Sequence, residues 1–343
     1  MTPWMLLTKI MNREALSDSE ASELMEALIS GELPPVMAGA LLTALRMKRE
    51  TSEELAAMTR VLLAHAPTIP CGRRPLLDTC GTGGDGLDTF NISTTVAFVA
   101  AGAGVAVAKH GNRSVSGRCG SADVLESLGV DIDLSPEAAG RCIDEVGIGF
   151  LFARSVHRAV GNVAQVRKEL GIPTVFNLLG PLANPARPDR QCLGVNDGSR
   201  LEEIAGVLSR LDVKHAFVIS GADGMDEAAL HGPTDAVELR DGALVRHQWH
   251  PEDFGVARGD LAALRGGNAT ENARILRRIL EGEMGPERDV VLINAALALM
   301  AADLADSPGD GVRLAAEVID SGAALAKLEG LIRFTRAPGG AKE

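Results

Sequence analysis

Apolar residues recur at helical spacing through the first seventy residues. Two capping boxes of the form S/T-x-x-E open these runs, at Ser17-Asp18-Ser19-Glu20 and Thr51-Ser52-Glu53-Glu54. Prolines at positions 67 and 70 then break the helical pattern. We therefore predict a small helical domain over residues 1–70, with a shared inner face formed by Leu24, Leu28, Leu41, Leu42 and Leu45.

From residue 71 onward, short apolar runs are followed by glycine turns and then by helical segments. Strands are predicted at 75–78, 105–108, 149–152 and 215–220, and helices at 136–146, 160–170 and 199–211. Alternation of strands and helices along a chain is typical of a mainly parallel sheet. The predicted fold class is therefore α/β, with a small all-helical domain beside a larger α/β domain that has a mainly parallel central sheet.

Composition and charge narrow the classes of function. The 343 residues include 46 Asp and Glu against 34 Lys and Arg, a formal net charge of −12. That sign opposes binding to nucleic acid or anionic lipid, so an anionic substrate needs a local cationic pocket. The longest apolar stretch, residues 96–108, is shorter than the roughly 20 residues of a membrane helix. Five cysteines without a CxxC pair, and a start without a signal-peptide pattern, favour a cytoplasmic protein.

The turn Gly81-Thr82-Gly83-Gly84-Asp85-Gly86 follows a predicted strand, at the edge where α/β sheets bind ligands. Backbone N–H groups of such a turn can surround an anionic oxygen, and the helix start predicted at 91–95 favours a phosphate for the same reason. A tight strand-to-helix turn without a ligand is the alternative. The chain has no GxxxxGK[ST], and the turn lacks the GxGxxG pattern with an acidic residue about twenty positions later, which argues against a kinase or a dinucleotide enzyme.

Two further segments carry charges that suit a phosphorylated substrate. Lys109 opens a glycine-containing basic loop, residues 109–121, that supplies the cationic pocket, although a solvated basic loop is the alternative. The adjacent carboxylates Asp226 and Glu227 suit Mg²⁺, which binds one or two carboxylates together with substrate oxygens and water. An acidic pair alone is a weak signal, and it gains weight beside a polyanion site.

An acceptor side is predicted from a third group of residues. Arg167, on the predicted helix 160–170, offers a fork that matches a carboxylate, although a surface arginine is the commoner outcome. His110 and His157 are the histidines inside these segments and are candidate acids or bases, although a lone histidine is more often structural. No cysteine has a visible paired base, so nucleophilic catalysis is not indicated.

Taken in this order, the segments resemble the anthranilate phosphoribosyltransferase family. The segments that carry the resemblance are GTGGDGLDTFNIST at 81–94, AKHGNRSVSGRCGSADVLESLG at 108–129, NVAQVRKELG at 162–171, TVFNLLGPLANPA at 174–186 and DGMDE at 223–227. The resemblance implies transfer of a 5-phosphoribosyl group from phosphoribosyl pyrophosphate (PRPP) to the amine of anthranilate in tryptophan biosynthesis, with Mg²⁺. It also implies a homodimer, a returning segment at about 162–188 that joins the helical domain, and a PRPP-binding domain over 71–161 and 189–343.

The resemblance also implies two substrate sites and a metal site. The anthranilate site is expected to contain Gly81, His110, Asn112, His157, Arg167 and Pro181. The PRPP site is expected to contain Gly81, Gly84, Asp85, Thr89, Asn91, Ile92, Ser93, Thr94, Lys109, His110, Gly111, Asn112, Arg113, Ser114, Val115, Ser116, Gly117 and Ser121. Two Mg²⁺ ions are expected on Ser93, Asp226 and Glu227, and no residue is expected to act as a covalent nucleophile.

Two other functions remain as alternatives. A pyrimidine nucleoside phosphorylase of the same fold would use free phosphate and a nucleoside, but it would want a lysine-serine-arginine type of loop where this chain has Lys109-His110-Gly111-Asn112. A non-catalytic paralogue that binds nucleic acid is disfavoured by the net charge of −12 and by the Asp226-Glu227 pair.

Overall fold

The fold is that of a computed structural model, which describes residues 1–114 and 118–337. Its helices are α1 (Pro3–Met11), α2 (Asp18–Ser30), α3 (Pro35–Lys48), α4 (Ser52–Ala64), α5 (Ile92–Gly102), α6 (Ser121–Leu128), α7 (Pro136–Val146), α8 (Ala153–Val156), α9 (Ala164–Leu170), α10 (Val175–Leu182), α11 (Leu201–Arg210), α12 (Ala269–Leu280), α13 (Pro286–Ala301), α14 (Pro308–Asp320) and α15 (Ala323–Arg336). Its strands are β1 (Leu76–Gly81), β2 (Ala106–Gly111), β3 (Ile148–Phe152), β4 (Arg190–Gly194), β5 (His215–Gly221), β6 (Thr234–Arg240) and β7 (Ala243–Trp249).

Helices α1 to α4 form the predicted helical body. The side chains of Ser17 and Thr51 cap α2 and α4, and Glu20 and Glu54 return a hydrogen bond to each cap, so both predicted capping boxes are confirmed. The predicted inner face is also confirmed, because five leucines are each at most 1% exposed: Leu24, Leu28, Leu41, Leu42 and Leu45. Burial of this shared apolar face, more than helix propensity, stabilises the bundle.

Seven strands form one sheet in the order β3-β2-β1-β4-β5-β6-β7. Strands β1 to β5 pair in parallel, whereas β6 and β7 pair antiparallel at one edge. The prediction of an α/β domain with a mainly parallel sheet is therefore confirmed. The β6–β7 hairpin was not predicted, and β7 is largely exposed because it is the edge strand.

Helices cover both faces of the sheet. The core on one face is formed by α5, α13 and their neighbours, and α5 and α13 are buried over most of their length. On the other face, α11 joins the helical body and α7 covers β3. The apolar stretch 96–108 runs from α5 into β2 and belongs to the buried core, as predicted. None of the helices described for residues 1–114 and 118–337 is long and apolar enough to span a membrane.

The chain returns to the helical body between β3 and β4. Residues Arg158–Val163 form a 3₁₀-helix and only Ala164–Leu170 is α-helical, so the predicted helix at 160–170 is correct for its second part. Gly161 and the β-branched residues beside it have low helix propensity, which accounts for the difference. Asn162 Nδ2 donates to the carbonyl of Ile29 at 2.6 Å, and α9 packs against α3. The returning segment thus packs on the first helices of the chain.

Candidate active site

The glycine turn lies directly against the loop of residues 223–227, which carries Asp226 and Glu227 and is called the acidic loop. Strand β1 ends at Gly81, which is paired with Gly194 at the end of β4. A side chain on Gly81 would overlap the carboxylate of Asp226, and one on Gly194 would overlap the Asp226 main chain. The N–H of Gly83 donates to Asp226 Oδ2 at 2.6 Å. Glycine is therefore required at both strand ends, because the acidic loop crosses them at backbone distance.

The second carboxylate, Glu227, lies at the start of α5. Its Oε1 accepts a hydrogen bond from the Ser93 N–H at 3.0 Å. Withdrawal from water raises the pKa of both Asp226 and Glu227; repulsion from Asp85 raises the pKa of Asp226 further, and repulsion from Asp226 and Asp85 raises that of Glu227 further. Asp85 Oδ2 is itself buried without a hydrogen-bond partner in the described part of the chain. A divalent cation would offset this repulsion, so the residues present fit Mg²⁺.

The protein alone does not enclose an ion. Within residues 1–114 and 118–337, no group of three or more His, Cys, Asp or Glu side chains is arranged to hold a metal. Mg²⁺ commonly keeps several waters and is bound through one or two carboxylates plus substrate phosphates. An ion at Asp226 or Glu227 would therefore complete its coordination with substrate oxygens.

Lys109 lies behind the glycine turn and is 3% exposed. Its Nζ donates to the carbonyl of Thr79 at 2.6 Å and lies 3.5 Å from Ser93 Oγ. Burial lowers the pKa of Lys109, and the nearby Asp78 and Glu227 oppose that shift. The structure therefore brings this predicted residue to the start of α5 as a buried amine, and not as an exposed loop side chain.

Asn91 is held by a residue that the sequence analysis missed. Asn272, on α12, donates from Nδ2 to Asn91 Oδ1 at 2.9 Å, while Asn91 Nδ2 donates to the carbonyl of Cys119 at 3.1 Å. Asn272 is 2% exposed and also accepts from the N–H of Gly267 at 2.7 Å. The sequence signal that could have identified Asn272 is its place, as an asparagine, on the buried face of a strongly amphipathic helix.

Four other predicted PRPP residues make different contributions. Ile92 and Thr94 are each 1% exposed, so Ile92 can offer a ligand only its main-chain groups at the start of α5, whereas Thr94 also carries a buried hydroxyl without a hydrogen-bond partner among the described residues. Thr89 forms an isolated antiparallel bridge with Arg265. Gly84 has φ +79°, a conformation that favours glycine and that turns the backbone after β1.

Arg113 is engaged by acidic side chains. Its guanidinium donates to Asp123 at 3.0 Å and to Glu126 at 2.8 Å, and it lies 5.6 Å from the ring centroid of Phe152. The same Asp123 carboxylate accepts from the N–H of Ser114 at 3.1 Å. These bonds shape the basic loop, and they raise the pKa of Arg113 through its two carboxylate partners.

The rest of the basic loop approaches the start of α6. A side chain on Gly111 would overlap the hydroxyl of Ser121, whose Oγ donates to the carbonyl of Asn112 at 3.3 Å. Asn112 Oδ1 accepts from the N–H of the next residue at 2.8 Å. Three residues predicted for the PRPP site lie outside the described residues: Val115, Ser116 and Gly117.

Arg167 has no acidic partner in the described part of the chain. It is half-buried on α9, its guanidinium lies 5.1 Å from the ring centroid of Phe176, and no carboxylate of residues 1–114 or 118–337 forms an ion pair with it. Burial lowers the pKa of Arg167, which remains a cation at neutral pH. A guanidinium in this state is suited to the carboxylate of a ligand.

His110 and His157 pack edge to face, with ring centroids 5.3 Å apart. Because a carbonyl only accepts, His110 Nδ1 donates to Gly180 O at 3.1 Å and His157 Nε2 donates to Ala183 O at 2.7 Å. Burial lowers the pKa of His110 to about 3 and also lowers that of His157. Both rings are therefore neutral at pH 7 and hold the end of α10, which contains the predicted residue Pro181.

Fold and site together define the class of protein. The description "Glycosyl transferase family, helical bundle domain" matches residues 5–66, and "Glycosyl transferase family, a/b domain" matches residues 73–325. These two regions correspond to the helical body and to the part of the chain that carries the sheet. The class is thus that of a two-part glycosyl transferase with a helical bundle and an α/β domain.

Individual relatives narrow this class. The chain is 51% identical over 328 residues to the anthranilate phosphoribosyltransferase of Moorella thermoacetica, covering 96% of this chain and 97% of the relative. The crystal structure of the Thermus thermophilus enzyme of that name matches with TM-score 0.92 and 47% identity, over 97% of this chain and 99% of that one. The Saccharomyces cerevisiae enzyme in complex with PRPP and Mg matches with TM-score 0.84 and 29% identity, over 91% and 92%. The chain belongs to the anthranilate phosphoribosyltransferase family.

Proposed function

We propose that this protein transfers the 5-phosphoribosyl group of PRPP to the amine of anthranilate, giving N-(5-phosphoribosyl)anthranilate and pyrophosphate in tryptophan biosynthesis. One observation carries the proposal. The carboxylates Asp226 and Glu227 lie against a glycine turn and a helix start, while Arg167 on the returning segment has no described carboxylate partner. The first group suits a pyrophosphate with its metal, and the second suits the carboxylate of an aromatic acid.

On the donor side, main-chain groups supply most of the binding. The N–H groups of the turn 81–86 and of the start of α5 are neutral donors, whose strength does not depend on pH. Lys109 adds a buried positive charge beside Ser93. Asn91 is held in one orientation by Asn272, which pre-organises its side chain for a ligand.

On the acceptor side, the guanidinium of Arg167 orients the carboxylate of anthranilate, and His110, His157, Asn112 and Pro181 line the approach of the amine. The amine nitrogen forms a bond to C1 of the ribose, the bond from C1 to the pyrophosphate oxygen breaks, and the amine proton is released. Oriented donors stabilise the charge that develops as that bond breaks. No covalent enzyme intermediate is required, because the amine attacks C1 directly and its proton passes to solvent.

Two Mg²⁺ ions are proposed, held by Ser93, Asp226 and Glu227 together with PRPP. Two ions are supported by the different directions of the two carboxylates. Asp226 accepts a hydrogen bond from the N–H of Gly83, whereas Glu227 accepts one from the N–H of Ser93. When bound, Mg²⁺ would offset the negative charge of the departing pyrophosphate.

The reaction is tested by following anthranilate fluorescence in a mixture of purified protein, PRPP, Mg²⁺ and anthranilate. The signal is expected to fall, and the fall should need PRPP and stop when EDTA is added. Persistence of the anthranilate fluorescence in the complete mixture would contradict the proposal. Phosphate-dependent cleavage of a pyrimidine nucleoside by the same sample would instead support the phosphorylase alternative.

A homodimer is also proposed. The helical body exposes large apolar side chains on one face, where Met11 is 68%, Val36 86% and Met47 71% exposed. These residues line a hollow of about 550 Å³ between α1, α3 and α9. Exposed apolar surface of this kind is commonly an interface, and a second copy would cover it. Sedimentation should give a dimer that Val36→Glu dissociates, and a monomeric wild-type protein would contradict this.

The location and the domain boundaries are proposed on structural grounds as well. All five cysteines are free thiols, which suits the reducing cytoplasm. A helical domain of residues 1–70 with the returning segment at about 162–188 is supported by the packing of α9 on α3 and by the hydrogen bond from Asn162 to the carbonyl of Ile29. Residues 71–161 and 189–343 would then form the PRPP-binding domain.

A further inference from the structure

Two neighbouring strands separate where the candidate site begins. Strands β1 and β2 pair at Leu76 with Ala106 and at Leu77 with Val107, and this ladder then stops although both strands continue. Over the same stretch, β1 stays paired with β4 and β2 stays paired with β3. The gap leaves main-chain groups of β1 and β2 facing each other without ladder hydrogen bonds, and buried groups of that kind need other partners.

Two buried side chains, Asp78 and Asn184, bond across this gap, beside the bond from Lys109 on β2 to the carbonyl of Thr79 on β1. Asn184, in the loop after α10, donates from Nδ2 to Asp78 Oδ2 at 2.9 Å and to the carbonyl of Ala108 at 2.8 Å. Asp78 Oδ1 accepts from the N–H of His110 at 3.2 Å, and Asn184 Oδ1 accepts from the N–H of Ala186 at 3.0 Å. Asp78 and Asn184 are 0% and 2% exposed. One side-chain pair therefore joins β1, β2 and the returning segment.

The end of α10 is held to the same part of the sheet by further bonds. The two histidine rings of the acceptor side donate to the carbonyls of Gly180 and Ala183, and Gln191 on β4 donates to the carbonyl of Pro181 at 2.8 Å. These are carbonyls that the helix end leaves without intrahelical partners. The returning segment, which also carries Arg167, thus has its position against the sheet set by side chains at this junction.

We propose that Asp78 and Asn184 are positioning residues, whose hydrogen bond fixes the returning segment against β1 and β2 and so sets how the acceptor meets the donor. The inference rests on the proposed transferase function. Without this bond, each substrate keeps the groups that bind it, but the reacting atoms are displaced. Asn184→Ala should therefore lower kcat by about 10- to 100-fold and change either KM by less than about threefold, since a displacement near 1 Å can reduce a rate about 100-fold.

The experiment compares Asn184→Ala and Asp78→Asn with a matched control, Asn162→Ala. Asn162 makes the same kind of bond, from Nδ2 to a carbonyl, between the returning segment and Ile29 of α2, away from the sheet. For each variant, kcat, both KM values, PRPP binding by calorimetry and thermal unfolding are measured. A purely structural role would lower the unfolding temperature but leave kcat per folded molecule unchanged, and that result overturns the inference.

A double variant supplies a second readout. Asp78→Asn combined with Asn184→Asp exchanges donor and acceptor between the two positions, so it should recover part of the kcat that each single change removes. Additive losses overturn the inference. This comparison also covers the case in which Asn184→Ala does not fold.

The failure of this inference and that of the proposed function are distinguishable. An inactive wild-type protein contradicts the function, and the junction is then tested by hydrogen exchange of residues 181–186 without substrates. Faster exchange in Asn184→Ala than in Asn162→Ala supports the junction, and equal exchange overturns it. An active wild-type protein whose Asn184→Ala variant keeps full kcat overturns the inference alone.

Discussion

Replacement of Arg167 by alanine is expected to weaken anthranilate binding and to leave PRPP binding almost unchanged. The guanidinium is half-buried, lies 5.1 Å from the ring centroid of Phe176 and has no ion pair with any carboxylate in the described ranges. No ion pair among the described residues is therefore lost on substitution, only the contact with the Phe176 ring, so the effect on anthranilate binding reports mainly on the ligand. A hydrogen bond to a charged group contributes about 1.5–3 kcal/mol, which corresponds to a rise of about 10- to 150-fold in the KM for anthranilate.

The assay measures initial rates by anthranilate fluorescence, with each substrate varied while the other is saturating. Arg167→Lys keeps the charge but loses the planar fork, so its KM should lie between those of the wild type and Arg167→Ala. Lys168→Ala removes the adjacent exposed cation on the same helix and serves as the control. An equal rise of the KM values for both substrates would refute the role given to Arg167, as would an equal effect of the control.

Three further predictions concern the rest of the site. Gly81→Ala should weaken PRPP binding in calorimetry, because the added carbon overlaps the Asp226 carboxylate, whereas Gly161→Ala has free space and should bind normally. Asp226→Asn should raise the Mg²⁺ concentration that gives half-maximal rate, and an unchanged magnesium titration would contradict the metal assignment. His110 has a pKa of about 3 when folded against 6.5 in its ordinary state, so the unfolded chain binds the proton first and stability falls as the pH drops below 6.5. The loss of stability amounts to about 2 kcal/mol at pH 5. The difference in unfolding free energy between wild type and His110→Asn should therefore be smaller at pH 5 than at pH 7.5. An unchanged difference would contradict a buried neutral ring.

Several parts of the fold could be predicted because they depend on neighbours in the chain. The capping boxes at Ser17 and Thr51 join residues three positions apart, and the leucine spacing of the first helices defines one apolar face. The resemblance to the family could also be predicted, because it rests on long motifs that occur in a fixed order along the sequence. The 3₁₀-helix Arg158–Val163 was missed because an apolar period does not by itself distinguish it from an α-helix.

The candidate site was predicted as a set of segments, but the contacts between them were not. Asn272 supports Asn91 from 181 positions away, and Asn184 reaches Asp78 across 106 positions. Such contacts depend on which strands become neighbours and where their ladder stops. Neither is visible in a local pattern of residues.

The sequence by itself determined the class of fold, the chemical character of the glycine turn, and the residues that can bind phosphate, metal and a carboxylate. Tertiary structure alone decided that Asp226 lies against Gly81, that Arg113 is engaged by carboxylates of α6, and that Arg167 has no described carboxylate partner. The physical reason is the separation along the chain over which each interaction acts. Capping, turns and amphipathic spacing act over a few residues, whereas burial, ion pairing and close backbone approach depend on residues that only folding brings together.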